Sequence, residues 1–284
     1  MKFKKRYLFL MPFLLYAMLC ISGCFQFRMS KKKATRFFSS SAVPVALKDF
    51  VVDSLKRNMH YAETIDSAKP NYILFVHGSP GSGSNFYEYL KDSSLQRVAQ
   101  LASVDRPGFG YSDFGVSEPV LANQAFAIAQ LLKAHQHQKV ILVGHSLGGP
   151  VIVSLAMNFP ELVDGLFLIA GSVDPDAEPK ESWRKPMDNV FLRWMLPRSV
   201  KVSNQEIIPV KPQLVDMSAH WNKLKCKVYV LQGLNDKMVP PMNADFVERK
   251  LPEHQRIVIK MKGKNHFIPF TDQTMVVKHI LQFI

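Results

Sequence analysis

Apolar positions along this chain are grouped in short, dense blocks. They recur at Tyr72-Ile-Leu-Phe-Val76, Leu101-Ala-Ser-Val-Asp105, Lys139-Val-Ile-Leu-Val143, Leu166-Phe-Leu-Ile-Ala170, Lys227-Val-Tyr-Val-Leu231 and Arg256-Ile-Val-Ile-Lys260. Runs this short, and apolar at nearly every position, read as strands buried on both faces. Asn123 to Ala134 and Pro150 to Met157 instead carry their apolar residues at helical spacing. Strands alternating with helices predict a parallel sheet covered on both sides. The stretch from Val43 to Asp66 differs. Asp49-Phe-Val-Val-Asp53 and Met59-His-Tyr-Ala-Glu63 mix polar and apolar positions, which predicts an opening hairpin with one wetter face. No internal repeat is visible.

Two stretches break the alternation. Ser172 to Trp221 holds all three tryptophans (Trp183, Trp194, Trp221) and six prolines. The N-terminus has basic residues from Lys2 to Arg6, then an apolar run from Tyr7 to Ile21, then Ser22, Gly23 and Cys24. The run is short for a spanning helix, which needs roughly 20 apolar residues, and it reads as an export signal over residues 1–23. Ile21-Ser-Gly-Cys24 resembles the lipobox of bacterial lipoprotein signals. That resemblance implies acylation of the Cys24 thiol and a membrane anchor in the bacterial cell envelope. Phe25 after the cysteine implies the outer membrane if the source is Gram-negative. Residues 24–41 then form a basic tether, expected to have no fixed structure.

Length and composition bound the rest. At 284 residues and 47% hydrophobic, the chain can bury one large α/β core. The formal charge of +13 looks like a nucleic-acid signal until it is located. Four basic residues in 1–23 and five in 24–41, with no acid in either, leave only +4 for the remainder. The basic character belongs to the arm and suits a membrane surface; nucleic-acid binding is excluded. Of the three cysteines, Cys20 would leave with the signal and Cys24 would be acylated if the lipobox resemblance holds, the alternatives being an ordinary secretory signal or an uncleaved anchor. Cys226 remains alone, so no disulfide framework is expected.

The chemistry centres on Gly144-His-Ser-Leu-Gly148, which matches G-x-S-x-G between an apolar strand and a helix. A strand that turns at once into a helix strains the middle residue and tolerates little bulk beside it. It pushes the Ser146 hydroxyl out and leaves the Leu147 N–H at the helix N-terminus. His77-Gly-Ser-Pro-Gly81 is a glycine-rich loop after a strand, able to aim backbone N–H groups at a ligand. A phosphate loop is disfavoured because its lysine and spacing are absent.

Five stretches in order resemble the α/β-hydrolase family: His77-Gly-Ser-Pro-Gly81, Asp105-Arg-Pro-Gly-Phe-Gly-Tyr-Ser112, Gly144-His-Ser-Leu-Gly148, Gly233-Leu-Asn-Asp236 with Val239-Pro240, and Gly263-Lys-Asn-His266. The resemblance spans about residues 45 to 284. It implies an α/β-hydrolase fold: a mostly parallel central sheet flanked by helices, with a small cap inserted after the sixth strand. The core would be residues 42–171 and 222–284, and the cap 172–221.

A serine hydroxyl needs a base to remove its proton as it attacks. His266, after the last strand, is the candidate base. Asp236 is the candidate acid that fixes its tautomer, because Ser…Asp…His is the family's order. Asp174 is a reserve acid, since some relatives place it there. The oxyanion hole would use the N–H groups of Leu147 and Ser79; Pro80 has none. Asp105 and Arg106 are expected to pair or to brace the nearby loop, and His145 to pack or bond locally. No cofactor or metal is called for, and no protein partner is indicated.

These residues predict a serine hydrolase cleaving a carboxylic ester, or an amide or thioester, through an acyl-enzyme. Epoxide hydrolases and haloalkane dehalogenases of this fold use aspartate as nucleophile, and Ser146 points instead to acyl chemistry. The alternatives are an acyltransferase on the same fold and a non-catalytic hydrolase-like binding protein. The substrate class is a small molecule carrying an acyl group.

Overall fold

The computed structural model describes residues 25–284, together with Pro12 and Tyr16. The export signal and Cys24 lie outside the described residues.

Eight strands form one sheet: β1 Val45–Val52, β2 Arg57–Thr64, β3 Asn71–Val76, β4 Ala99–Val104, β5 Lys139–His145, β6 Gly165–Ile169, β7 Lys227–Gly233 and β8 Arg256–Met261. Their spatial order is β1-β2-β4-β3-β5-β6-β7-β8. β1 and β2 are the expected hairpin, and β2 meets β4 antiparallel. Every pairing from β4 through β3, β5, β6 and β7 to β8 is parallel. The fold is therefore the α/β-hydrolase fold that the resemblance implied.

Pleating explains why the strands read as continuous apolar runs. Side chains alternate between faces, and here both faces are covered. In β3, Tyr72, Leu74 and Val76 enter one core layer while Ile73 and Phe75 enter the other. In β5, Val140 and Leu142 part from Ile141 and Val143 in the same way.

Among the described residues, helices of six residues or more are α1 Lys31–Phe38, α2 Ser93–Val98, α3 Leu121–Leu132, α4 Gly148–Asn158, α5 Arg198–Ile207, α6 Val210–Ser218, α7 Met242–Lys250 and α8 Gln273–Phe283. α3, α4, α6 and α7 pack on the first face, with Ile128, Ile152, Leu214 and Val247 buried there. α1, α2 and α8 pack on the second, through Phe38, Leu95 and Ile280.

The connection from β6 to β7 contains α5 and α6, preceded by a short helical turn at Arg184–Met187 and a tighter turn at Arg193–Met195. This is the stretch in which the sequence alternation fails.

One expectation is corrected. Residues 31–38 of the supposed unstructured tether form α1. Ser30 caps it by accepting from the Lys33 N–H, and Ala34 and Phe38 are buried one turn apart. The segment before it docks as well: Ser82 Oγ donates to the Phe27 carbonyl (2.8 Å), the Met29 N–H donates to Ser84 Oγ (3.1 Å), and the Arg28 guanidinium lies 4.2 Å from the Tyr111 ring centroid. The helix is hard to read in sequence because two apolar contacts sit among four basic residues, too few to make a periodic face.

Candidate active site

Ser146 stands at the junction of β5 and α4 with φ +54°, a left-handed conformation rare for a residue with a side chain. The surroundings hold it there. Its N–H donates to the Ile169 carbonyl of β6 (3.1 Å), and its own carbonyl accepts from Gly149 (2.9 Å) and Ser172 (3.2 Å). Neighbours His145 and Leu147 are buried whereas Ser146 is only partly so. The turn thus presents one side chain and hides the two beside it.

Two glycines make this geometry possible. A Cβ on Gly148 would lie 2.3 Å from the Val76 carbonyl oxygen, so only glycine lets α4 start against the end of β3. A Cβ on Gly78 would lie 2.8 Å from the Ser146 Cβ. The His77–Gly81 loop therefore runs directly beside the serine. Among the described residues, neither the Ser79 N–H nor the Leu147 N–H donates to a turn or loop carbonyl.

His266 follows β8 on a loop and is buried. Its Nδ1 lies 2.8 Å from Asp236 Oδ2. Because a carboxylate accepts, Nδ1 carries the proton and Nε2 is left as the basic nitrogen. Asp236 follows β7 and is itself anchored: its Oδ1 accepts from the backbone N–H groups of Met238 (2.9 Å) and Val239 (2.8 Å). His145, beside Ser146, ties that turn to the His266 loop. Its Nε2–H donates to the His266 carbonyl (3.0 Å), and the two rings are 4.7 Å apart. Burial, with the His266 ring beside it, pushes the His145 pKa down to about 3, so this ring is a neutral strut.

Asp174 is not the acid of this pair. It is buried, its Oδ1 accepts from the Asp176 N–H (2.9 Å), and its Oδ2 faces Arg249 (3.3 Å). The reserve assignment is withdrawn because Asp236 occupies the Nδ1 side of His266.

Asp105 and Arg106 do brace the loops, each separately. Asp105 accepts from Gly83 N–H (2.6 Å) and Tyr111 N–H (2.7 Å), although burial raises its pKa. Arg106 is wholly buried. Its Nε donates to the His77 carbonyl (2.8 Å) and its Nη2 to the Gly78 carbonyl (3.0 Å). The same guanidinium makes a bidentate pair with Glu206 of α5, at 2.7 and 2.9 Å. Gln124 of α3 bonds both Arg106 Nη1 (2.7 Å) and Glu206 Oε2 (3.1 Å). One cation thus joins the loop beside Ser146 to the segment after β6. His77 stays neutral there: burial and the Arg106 charge hold its pKa well below the usual value. Its Nδ1–H donates to the Gly78 carbonyl (2.7 Å) while Nε2 accepts from the Arg106 N–H (2.9 Å).

Sequence reasoning missed Glu206 and Gln124. Neither lies in a motif, and Glu206 is a hundred residues from its partner. Cys226 is buried, and burial pushes its thiol up to about 12, which keeps it protonated.

Comparison with known proteins agrees with this architecture. The family model for the alpha/beta hydrolase fold matches residues 71–196. A RutD protein of Escherichia coli (strain SMS-3-5), which carries the name carbamate hydrolase, is 22% identical over 223 residues, covering 67% of this chain and 82% of its own. Among solved structures, a membrane phospholipase A described as a bacterial virulence factor superposes with TM-score 0.65 at 18% identity, covering 99% of this chain and 98% of its own. A lipase-esterase related protein from Clostridium acetobutylicum ATCC 824 superposes with TM-score 0.66 at 16% identity, covering 80% and 99%. At such identities the structural likeness establishes the fold. Together with the family match and the curated relatives it supports a single conclusion: the chain is a hydrolytic enzyme of the α/β-hydrolase fold.

Proposed function

We propose that the chain is a serine hydrolase that cleaves carboxylic esters through an acyl-enzyme on Ser146. The observation carrying this reading is the buried His266–Asp236 pair, set on loops tied by His145 to the strained turn at Ser146. The Ser146 hydroxyl attacks the ester carbonyl carbon as His266 Nε2 takes its proton. Asp236, held by two backbone N–H groups, keeps Nδ1 protonated and stabilises the imidazolium. The N–H groups of Leu147 and Ser79 receive the oxyanion. His266 returns the proton to the departing alkoxide, and water then attacks the acyl-enzyme by the same base. Amides, thioesters and carbamates present the same carbonyl. The lipase and phospholipase names among the structural neighbours favour esters as the first class to test.

The N-terminal residues extend the reading. Acylation at Cys24 would anchor the enzyme in the bacterial envelope, and two acyl chains give stable attachment where one does not. Mass spectrometry of the N-terminal peptide from membranes reads this directly.

A fluorophosphonate probe and a panel of p-nitrophenyl esters test the catalytic reading, with Ser146→Ala and His266→Ala alongside. Labelling and turnover in the wild type, absent from both variants, support it. A folded wild type that neither labels nor hydrolyses overturns it.

A further inference from the structure

We infer that the segment from Trp183 to Met195 is a docking surface for an anionic lipid bilayer. The inference is independent of the catalytic reading and does not require acylation of Cys24.

Six large apolar residues are exposed within thirteen positions: Trp183, Val190, Phe191, Leu192, Trp194 and Met195. Phe191 is 77% exposed and Trp194 70% exposed. Single exposed apolar residues are ordinary on a protein surface, but a cluster of this density marks a contact site. The residue types point to lipid. Tryptophan has an apolar body and a polar N–H, and it concentrates at membrane–water boundaries. The secondary structure also fits: two short turns, Arg184–Met187 and Arg193–Met195, present the side chains, and the segment carries no strand edge that would pair with a peptide.

Charge distinguishes an anionic bilayer from a generic apolar partner. Lys180, Lys185, Arg193 and Arg198 flank or interrupt the cluster and are exposed. Among the described residues none of the four is in an ion pair; the nearby Arg184 is paired with Glu181. Unpaired cations around an apolar centre are complementary to anionic head groups around acyl chains.

The chain's own path adds a third argument. Ser199, one residue into α5 and four after Met195, donates its hydroxyl to the Phe25 carbonyl. The N-terminal 24 residues, with their apolar run and four basic residues, therefore join the described chain beside this patch. Whatever holds that N-terminus at a membrane brings the same surface to it.

The three tryptophans supply the readout, because Trp221 is only 3% exposed and packs on Phe246. The full-length chain would be reconstituted in vesicles of phosphatidylethanolamine and phosphatidylglycerol containing a brominated-acyl quencher. Vesicles of phosphatidylcholine with the same quencher serve as comparison. The expected result is quenching of tryptophan emission in the anionic vesicles, reduced by Trp194→Phe and by Trp183→Phe but not by Trp221→Phe. Phe191→Asp places a carboxylate at the lipid boundary and should lower the ratio of docked to undocked chains about tenfold. Phosphatidylcholine vesicles should leave Trp194 open to acrylamide. Trp194 emission that the brominated lipid does not reach overturns the inference. So does a Trp194 already shielded from acrylamide in phosphatidylcholine, which would mean that a second copy or the N-terminal arm covers the patch. Ser146→Ala should dock as the wild type does, so a failure of docking and a failure of catalysis are read separately.

Discussion

Around Ser146 the chain is crowded with bonds: His266, Asp236, His145, His77 and Arg106 are all buried, and their polar contacts join the loops at the strand ends to one another and, through Arg106, to α3 and α5. Between Trp183 and Met195 the chain turns large apolar side chains to the outside and makes few long-range bonds. Both stretches follow a strand of the same sheet, so position in the fold does not explain the contrast. For the proposed hydrolysis the first must hold a hydroxyl, an imidazole and two N–H groups in one geometry, which rewards rigidity. The second meets an outside surface and is built from residues that bury well against lipid. The link between them runs through α5: Arg106, on the loop beside Ser146, pairs with Glu206 there, and Asn204 of the same helix donates to the Arg184 carbonyl (2.9 Å).

The sharpest way to break this contrast is to replace two of the buried aspartates in turn. Asp236→Asn should lower kcat by about 10⁴-fold, because an amide cannot hold the His266 tautomer. Asp174→Asn should leave kcat within about threefold, since its carboxylate faces Arg249. Steady-state kinetics on one activated ester decide it. Comparable losses in both would mean that Asp174 reaches the reacting groups.

The link itself is next. Glu206→Gln strands a buried guanidinium and should cost about 3–5 kcal/mol of stability, read as a lowered midpoint in urea. Arg106→Met with Glu206→Leu removes both charges and should recover most of that loss. The double variant should still turn over more slowly than wild type, because the His77 and Gly78 carbonyls lose their donor. Equal activity in the double variant would show that the loop beside Ser146 needs no brace.

A smaller change tests the loop directly. Gly78→Ala puts a methyl group where the Ser146 Cβ is 2.8 Å away. Displacement of the serine should cost roughly tenfold to a hundredfold in kcat at little cost in stability. Unchanged kcat would show that the loop yields instead.

A further test is acid sensitivity. The folded His145 has its pKa depressed to about 3 from the usual 6.5. As pH falls below that ordinary value the unfolded chain takes up a proton that the folded chain refuses. Stability is therefore full above about pH 6.5 and lost progressively towards pH 3, by about 1.4 kcal/mol per pH unit for one such group. His145→Gln can keep the N–H bond to the His266 carbonyl and removes the titration. Its urea midpoints between about pH 6 and pH 4 should fall less steeply than wild type by close to one proton. Parallel slopes would show that His145 does not carry this linkage. His77, also held neutral by burial, should leave a residual slope in both.

How much of this was legible depended on distance along the chain. The hairpin and the six parallel strands could be read because burial on both faces writes itself into every position of a short run. Ser146 could be read because its turn is a local steric problem that glycine at Gly148 solves within a few residues. His266 and Asp236 were legible through their order after successive strands. The helix α1 was not, since Ala34 and Phe38 are two contacts in a basic background. Nor were the helices after β6, where prolines and exposed aromatics obscure the period.

The sequence by itself determined the strand pattern, the elbow at Ser146 and the positions of the candidate residues His266, Asp236 and Asp174 after successive strands. All of these arise from constraints acting over a few neighbouring positions. The tertiary structure alone decided that Asp236 rather than Asp174 takes the His266 ring, that His145 is a neutral strut, and that Arg106 turns to Glu206. Those outcomes depend on which loop ends the sheet brings together, and on burial that makes an unpaired charge too costly to leave. No spacing along the chain encodes them.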